Sequence, residues 1–394
     1  MTRSLVGREV DPAHIVVYLS GSMRALYDQS IDLVARQLAA ACNTIPGAGS
    51  FAVSGESGAF RIGMDHDVNV RTVAHLTDPA QDIVILEVDH RAVTMLCLDE
   101  MPILRQVLAV ALYCVRMVPK VLCLIVSPTP QHHAALTLSR RVFLLINLIV
   151  GFFGAIAVLL GAYQILSFAL PQAWSAWADR QVSASYLLGF VLFSALFLRA
   201  GDIPKLLDSG QEYYGISDYL RAGRNAALLM ARLNDVLDFA ERNYVGATKH
   251  VVAFSYGSVL AYDFLFPKPP SARMPRARLA SVTFMGFPRV FIDRLWPGYF
   301  AARSFPSGET FRWLNIRLPD DVLGSKITDY AELFGAAGQR VAAPPEPRDE
   351  EVEPQRPAAG EWNFVTRHLS YWDPAELRPA PAWCRVAANV LARS

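Results

Sequence analysis

The sequence is poor in charged residues, which make up 19% of its 394 positions, against about 25% in an average soluble protein. It also lacks an excess of either sign, with 37 Lys and Arg against 36 Asp and Glu. Because a nucleic-acid-binding protein carries a basic excess, we expect no nucleic-acid partner. Hydrophobic residues reach 53%, too many for a disordered chain or an ordinary fully soluble protein.

Cysteines are few and unpaired in the sequence. The five cysteines are scattered with no CxxC pair, which indicates free buried thiols in a reducing compartment rather than a disulfide framework. No apolar stretch follows the arginine near the N-terminus, so we expect no signal peptide. The groups Asp65-His66-Asp67 and His132-His133 lack partners at recognised metal-ligand spacing. We therefore predict no metal and no cofactor.

Two uncharged runs hold the apolar excess, at 142–170 and 181–198. Since about 20 apolar residues cross the hydrocarbon core of a bilayer, they predict a transmembrane helical hairpin within 140–200. Its helices are expected at about 142–170 and 181–199, which makes the lipid bilayer a partner. Trp174 and Trp177 in the connecting loop suit the lipid–water interface. The alternative is one long buried helix in a soluble protein.

Basic residues flank the two runs and predict their orientation. Arg140 and Arg141 precede the first run, Arg199 and Lys205 follow the second, and the loop has only Arg180. The positive-inside rule places both ends in the cytoplasm. We therefore expect an integral membrane protein with both termini cytoplasmic.

Short β-branched runs alternate with helical patterns in the rest of the chain, which predicts an α/β fold with a mostly parallel sheet covered on both faces. Strands are predicted at 14–19, 82–88, 120–126, 250–254, 281–285 and 311–318, and helices at 30–41, 216–243 and 383–391. Residues 50–76 are predicted as strand and loop. Residues 101–118 predict an amphipathic helix on the membrane surface or the protein core, with a third span as the alternative.

The transmembrane hairpin is then an insertion that divides the α/β domain. Residues 1–130 form the N-terminal part of that domain, and residues 201–394 form its C-terminal part. Within the second part, residues 338–360 are rich in Pro, Ala and Glu. Such a composition buries little apolar surface, so we predict a flexible surface excursion there.

The segment His250–Phe266 carries the clearest chemical signal. An apolar strand runs directly into Ser255, and a helical pattern follows at once. Ala253 and Gly257 lie two positions on either side, where a sharp strand–turn–helix connection needs small residues to project a serine hydroxyl from the sheet edge. The helix N-terminus would also place backbone N–H groups near a developing oxyanion. The pattern favours a nucleophilic serine, with a plain turn serine as the alternative.

An acid and a histidine follow in the chain order that such a serine hydrolase needs. Asp320 and Asp321 come directly after the predicted strand at 311–318, and His368 is the only histidine after residue 250. We predict Ser255 as the nucleophile, His368 as the general base, and one of the two aspartates as the acid that orients the imidazole.

Four segments carry a family resemblance: AFSYGSVLAYDFL around the serine, VTFMGFP after the next strand, RWLNIRLPDDVLG around the acid and HLSYW around the histidine. Together they resemble the α/β-hydrolase superfamily, most of all bacterial membrane-anchored lipase- and esterase-like proteins, with some similarity to DDHD-type phospholipases. The likeness extends over 216–372 and implies an α/β-hydrolase-like sheet with the transmembrane hairpin inserted. It also implies a serine hydrolase of the bacterial inner membrane that cleaves an acyl ester. Because the membrane anchor would hold a cytoplasmic catalytic domain close to lipid, we expect an ester of a lipid or another amphiphile.

The resemblance also bears on individual residues. It places the acid directly before a Val-Leu-Gly stretch, which favours Asp321 and leaves Asp320 as the alternative acid. It implies an oxyanion hole formed by the backbone N–H groups of Tyr256 and Ser22, although Ser20 stands where the family commonly has the histidine of His-Gly. Two alternative functions stay open. One is a catalytically inactive hydrolase-fold membrane scaffold or partner-binding protein, and the other is an acyltransferase or peptidase with the same triad.

Overall fold

The computed structural model of the protein describes residues 12–21, 31–62, 66–90, 102–126, 141, 145, 212, 214–221, 224–267, 278–301, 303, 310–319, 321, 323–327, 346–352, 368, 371–372 and 379–392. The chain divides into two compact units. The first combines Met1–His90 with Ala226–Ser394, and the second is Arg91–Asn225. The first unit is therefore built from two separated stretches of sequence.

An eight-stranded sheet forms the centre of the first unit. Its strands are β1 (His14–Leu19), β2 (Phe51–Ile62), β3 (His66–His75), β4 (Ile83–Val88), β5 (Thr248–Phe254), β6 (Leu279–Met285), β7 (Arg312–Arg317) and β8 (Arg348–Glu351). They lie in the order β2-β3-β4-β1-β5-β6-β7-β8. The run from β4 to β8 is parallel throughout, and the β2–β3 hairpin joins β4 antiparallel. The predicted α/β fold with a mostly parallel sheet is confirmed.

Residues 214–220 are helical. Six other α-helices with defined bounds accompany the strands in the described part of the chain. They are α1 (Ile31–Cys42), α2 (Ile103–Val126), α3 (Arg224–Asn243), α4 (Tyr256–Leu265), α5 (Arg289–Leu295) and α6 (Pro381–Leu391). A short 3₁₀ turn at Pro79–Gln81 precedes β4. The strands that parallel pairing buries on both faces are near-continuous apolar runs, as HIVVYL in β1 and IVILEV in β4 illustrate.

The two faces of the sheet have separate apolar layers. Successive side chains of a strand point to opposite faces. On one face Tyr18 and Phe254 belong to a buried core that includes Trp383 of α6 and the apolar side of α1. On the other face Phe284 and Trp313 pack in an aromatic cluster with Tyr262 of α4. The sheet is thus held between helices on both sides, with its strand ends left to the loops.

One predicted strand is wrong. Residues 120–126 belong to helix α2, which continues through Pro119. A short apolar run cannot be assigned to strand or helix by its hydrophobicity alone, and a proline inside a helix is unfavourable because it removes a backbone hydrogen bond. The apolar residues Leu112, Val115, Leu122 and Val126 recur at intervals that place them on one side of a helix.

The predicted excursion at 338–360 is not irregular throughout. Strand β8 lies within it and pairs in parallel with β7 at the edge of the sheet. Polar contacts hold this strand where apolar burial is small: the Asp349 carboxylate accepts hydrogen bonds from the Asn315 amide and the Ile327 backbone N–H. The remainder of 338–360, apart from 346–352, lies outside the described residues.

The predicted transmembrane hairpin at about 142–170 and 181–199 lies outside the described residues, apart from Leu145. Among the helices that the structure describes, none combines the length and the apolar character needed to cross a bilayer. Three cysteines with described side chains, Cys42, Cys123 and Cys384, are free. Cys42 is buried as expected, and burial raises the pKa of its thiol to about 12, but Cys123 is exposed.

Candidate active site

Loops from several strands meet at the carboxyl edge of the sheet. From β1 the chain proceeds to strands on one side of the sheet, whereas from β5 it proceeds to β6 on the other side. In open α/β sheets such a reversal leaves a crevice at the carboxyl ends, where ligands bind. Ser20 follows β1 and Ser255 follows β5, so both lie at this crevice.

Ser255 occupies a strained turn between β5 and α4. Its φ is 51° and its ψ is −121°, and among the described residues it is the only one besides glycine with a positive φ. The Ser255 backbone N–H donates a hydrogen bond to the Met285 carbonyl at 2.8 Å, which ties the turn to the end of β6. A non-glycine residue in this region costs about 1–3 kcal/mol and is found mostly at functional sites.

Gly257 shows why a small residue follows the serine. A Cβ atom at this position would lie 2.4 Å from the Leu19 carbonyl oxygen and 2.5 Å from the Ser20 carbonyl oxygen. Both obstacles are backbone atoms of β1 and its loop, which cannot move aside as a side chain can. The close approach of α4 to β1 therefore requires glycine at 257.

Three side chains from distant parts of the chain form a hydrogen-bonded relay. The Ser255 hydroxyl lies 2.8 Å from Nε2 of His368. On the other side of the ring, Nδ1 of His368 lies 2.8 Å from Oδ1 and 3.0 Å from Oδ2 of Asp321. With the hydroxyl donating to Nε2, the proton of the neutral imidazole lies on Nδ1 and points to the carboxylate. The structure thus brings together the predicted nucleophile, base and acid.

Asp321 is fully buried and held by several donors. Its carboxylate accepts hydrogen bonds from the Leu323 backbone N–H at 2.9 Å and from the Tyr371 hydroxyl at 2.8 Å. Burial by itself raises the pKa of Asp321, but the His368 charge and the hydrogen bonds from His368, Gly324 and Leu323 outweigh it. The pKa therefore lies below the ordinary value, and the carboxylate stays ionised opposite His368.

Two aromatic side chains, Phe254 and Tyr371, pack around the His368 imidazole. The Phe254 ring, one residue before the nucleophile, is stacked on the His368 imidazole with centroids 5.1 Å apart and an interplanar angle of 23°. The same ring meets Tyr371 edge-on at 5.5 Å. Because His368 lies in a chain segment remote from β5, this stack positions the imidazole against the serine.

Gly286 leaves the room that the imidazole needs. It has a φ of 62°, and a Cβ atom there would lie 2.9 Å from Cε1 of His368 and 3.2 Å from Oδ2 of Asp321. Gly324 has a similar role, since its Cβ would lie 2.4 Å from the same carboxylate oxygen. The glycines in the loops after β6 and β7 thus leave room for the His368–Asp321 hydrogen bond.

The predicted oxyanion donors are only partly described. Tyr256 is buried at the first position of α4, where its backbone N–H lies at the helix N-terminus beside Ser255. Ser22 and the alternative acid Asp320 lie outside the described residues. Gly21, one residue before Ser22, is described: a Cβ there would lie 3.0 Å from the Ser255 Cβ. The loop after β1 therefore passes against the nucleophile.

Sequence reasoning assigned no role to two residues of this site. Tyr371 lies in the HLSYW segment, which offered a signal, but its contact with Asp321 required coordinates. His90 lies two residues after β4 at the same sheet edge and is 1% exposed. Its only sequence signal is a polar residue directly after a predicted buried strand. Among the described residues, no group of three or more acidic, histidine or cysteine side chains could hold a metal ion.

Comparison with known proteins identifies no relative of this chain. No protein-family model matches the chain, and neither a curated protein nor a solved structure is significantly similar to it.

Proposed function

We propose that the protein is a serine hydrolase that cleaves an acyl ester through a covalent acyl-enzyme. The single observation that carries this proposal is the continuous Ser255–His368–Asp321 relay on a strained turn at the carboxyl edge of the sheet. The order of the three residues along the chain and their places after β5 and β7 also support an α/β-hydrolase-like fold.

The relay accounts for both halves of the reaction. Nε2 of His368 takes the Ser255 hydroxyl proton as Oγ bonds to the ester carbonyl carbon, and the carbonyl π electrons move to oxygen. As the carbonyl re-forms, the bond to the alcohol breaks and His368 gives its proton to the leaving oxygen. In the second half, water takes the place of the serine hydroxyl and the acid is released. Asp321, ionised and buried, stabilises the imidazolium in both halves.

The negative oxygen of the tetrahedral intermediate needs hydrogen-bond donors. The Tyr256 backbone N–H lies at the start of α4, where the helix dipole favours negative charge. Gly21, at the start of the loop after β1, lies close to Ser255, and this loop is the proposed source of the second donor.

Labelling with a fluorophosphonate probe tests the proposal, because the phosphorus reagent bonds only to an activated serine. We expect the wild-type protein to be labelled and Ser255→Ala to be unlabelled. Ser281→Ala is the matched control: it removes another buried serine hydroxyl, near the amino end of β6, and labelling should persist. An unlabelled wild-type protein would instead support the inactive scaffold.

A substrate panel separates the related reactions of the same triad. We propose an ester of a lipid or another amphiphile, since the uncharged runs at 142–170 and 181–198 support a membrane anchor. Hydrolysis of p-nitrophenyl esters without hydrolysis of aminoacyl anilides is the expected result. The labelled band should also stay with the membranes after alkaline carbonate extraction. Release of the band into the supernatant would contradict the anchor and leave the hydrolase proposal standing.

A further inference from the structure

A second histidine lies beside the proposed active site. His90 follows β4 by two residues and is 1% exposed. Its Nε2 lies 2.9 Å from the Ser20 backbone carbonyl oxygen. Because a carbonyl oxygen only accepts, Nε2 of His90 bears the proton and donates this hydrogen bond. The imidazole therefore holds the first residue of the loop after β1.

The Ser20–Gly21 peptide connects this hydrogen bond to the nucleophile. A peptide group is planar, so fixing the Ser20 carbonyl also fixes the direction of the Gly21 N–H. At Gly21 a Cβ atom would lie 3.0 Å from the Ser255 Cβ and 2.9 Å from the Phe254 ring. The peptide that His90 orients is thus the one that lies against the serine.

The His90 imidazole also contacts the side chain of Tyr256. Its ring meets the Tyr256 ring edge-on, with centroids 5.3 Å apart and an interplanar angle of 88°. Tyr256 provides the proposed first oxyanion donor through its backbone N–H. One buried side chain therefore contacts both the Ser20 carbonyl and the Tyr256 ring, and it comes from the loop after a third strand, β4.

We propose that His90 is a positioning residue that orients the oxyanion-stabilising backbone around Ser255. The inference rests on the proposed hydrolase function and deepens it. Oxyanion donors act only when they are held at the place where charge develops, so a displaced donor weakens binding of the transition state more than binding of the substrate. Loss of the His90 hydrogen bond should therefore lower kcat and leave KM nearly unchanged.

The experiment compares esters with thionoesters of the same acyl chain in the full-length protein. Sulfur accepts hydrogen bonds more weakly than oxygen, so the rate ratio of ester to thionoester reports on the oxyanion donors. His90→Leu removes the donor, whereas His90→Gln keeps an N–H at a similar distance along the side chain. His14→Leu is the matched control, because it removes a histidine at the opposite end of the β1–β4 strand pair.

We expect His90→Leu to lower kcat for the ester by about 10- to 100-fold. Removal of a whole oxyanion donor lowers kcat further, by about 10²–10³-fold. The ester-to-thionoester ratio should shrink, and His90→Gln should recover most of both values. His14→Leu should leave the ratio at its wild-type value even if the melting temperature falls. A merely structural role of His90 would lower both rates alike and leave the ratio unchanged.

A second pair of variants covers the case in which His90→Leu does not fold. The Asn side chain of His90→Asn ends in an amide like that of His90→Gln but is one methylene shorter. Its N–H should therefore not reach the Ser20 carbonyl. A reduced ratio in His90→Asn and not in His90→Gln would support the inference, and equal ratios would overturn it. Wild-type protein that hydrolyses no ester would overturn the hydrolase proposal together with this role. An active wild type with unchanged ratios would overturn the role of His90 alone.

Discussion

Tyr371 supports the acid of the relay through a single hydroxyl. This hydroxyl donates to Oδ2 of Asp321 at 2.8 Å and accepts a hydrogen bond from the Leu318 backbone N–H at 3.1 Å. Burial and the neighbouring Asp321 charge raise the pKa of Tyr371 well above its ordinary value. The hydroxyl therefore stays protonated at neutral pH and donates its hydrogen bond to the Asp321 carboxylate.

Removing that hydroxyl should weaken both the fold and the reaction. We expect Tyr371→Phe to lower the free energy of unfolding by about 1.5–3 kcal/mol, the usual contribution of a hydrogen bond to a charged group. Because Asp321 orients His368, kcat should also fall, by about tenfold for each 1.4 kcal/mol lost in the transition state. Steady-state kinetics and thermal unfolding in mild detergent measure the two effects.

Tyr262→Phe is the control for Tyr371→Phe. Tyr262 is equally buried but lies in the aromatic cluster on α4, and its hydroxyl has no hydrogen-bond partner among the described residues. Its removal should leave kcat unchanged. If Tyr262→Phe and Tyr371→Phe reduced kcat equally, the contact with Asp321 would have no special role.

At the scale of the elements, the turn between β5 and α4 depends on how closely α4 approaches β1. Gly257 lies against the carbonyl oxygens of Leu19, the last residue of β1, and of Ser20, which follows it. In the same helix the Ser258 hydroxyl donates to the Ala253 carbonyl at 2.9 Å, which fastens the first turn of α4 to the end of β5. A side chain at 257 would have to separate α4 from β1.

We therefore expect Gly257→Ala to destabilise the first unit by about 1–3 kcal/mol or more, the cost of overpacking a dense interior. Gly246→Ala is the control, because a Cβ atom there meets nothing within 4 Å and its φ is not positive. Hydrogen exchange of β5 peptides should accelerate in Gly257→Ala and stay at the wild-type rate in Gly246→Ala. Equal exchange rates in the two variants would contradict the packing argument.

Periodicity and chain order made much of this unit predictable. Buried strands such as β1 and β5 are short apolar runs that end in a turn, and Ser255 follows one of them directly. The failure at 120–126 has a physical cause, since a helix that buries or exposes one apolar side can contain the same short run as a strand. Pro119 lies within α2, although proline usually ends or kinks a helix.

The backbone part of the site could not be predicted in the same way. An oxyanion donor is a main-chain N–H, which any residue except proline provides. Tyr256 and Ser22 could therefore be named only through the family resemblance, and not from their residue types. The same applies to the Ser20 carbonyl that His90 binds, because its position depends on the pairing of β1 with β4 and β5. Side-chain roles follow from residue type and order, whereas these backbone contacts follow only from the assembled sheet.

At the scale of the whole molecule, the amino edge of the sheet buries His250 beside the half-buried His14. Nδ1 of His14 lies 3.1 Å from Nε2 of His250, and Nδ1 of His250 lies 2.7 Å from the Ser281 hydroxyl. Burial, together with the charges of His14 and Arg312, lowers the pKa of His250 to about 3. Arg312 in turn holds the end of α6 through the Asn389 carbonyl at 2.9 Å.

This pair should make the stability of the protein fall in mild acid. The unfolded imidazole of His250 takes up a proton near its ordinary pKa of 6.5, but the folded one does so only near 3. The contribution of His250 is therefore complete above pH 6.5 and is lost as the pH falls toward 3. The steepest slope for one such group is about 1.4 kcal/mol per pH unit.

The variant His250→Asn tests this slope. Its unfolding free energy should depend less on pH than that of the wild type between pH 6.5 and pH 3. Chemical denaturation at several pH values measures both curves, and their difference isolates His250 from the other titrating groups. Parallel curves would show that the buried imidazole contributes nothing to acid sensitivity.

The division of the first unit into two stretches of sequence has a consequence for how the protein is made. Strand β1 pairs with β5 in the register His14 to Thr248, so residues 91–225 must be synthesised before those two strands can meet. The entropy lost in closing so long a loop grows only slowly with its length, but pairing at such separation makes folding slow. Helices and the β2–β3 hairpin can form early from local contacts, whereas a reactive serine can arise only when the last long-range pairings are complete. On the proposed function, a nascent chain has no hydrolytic activity while it is still being assembled.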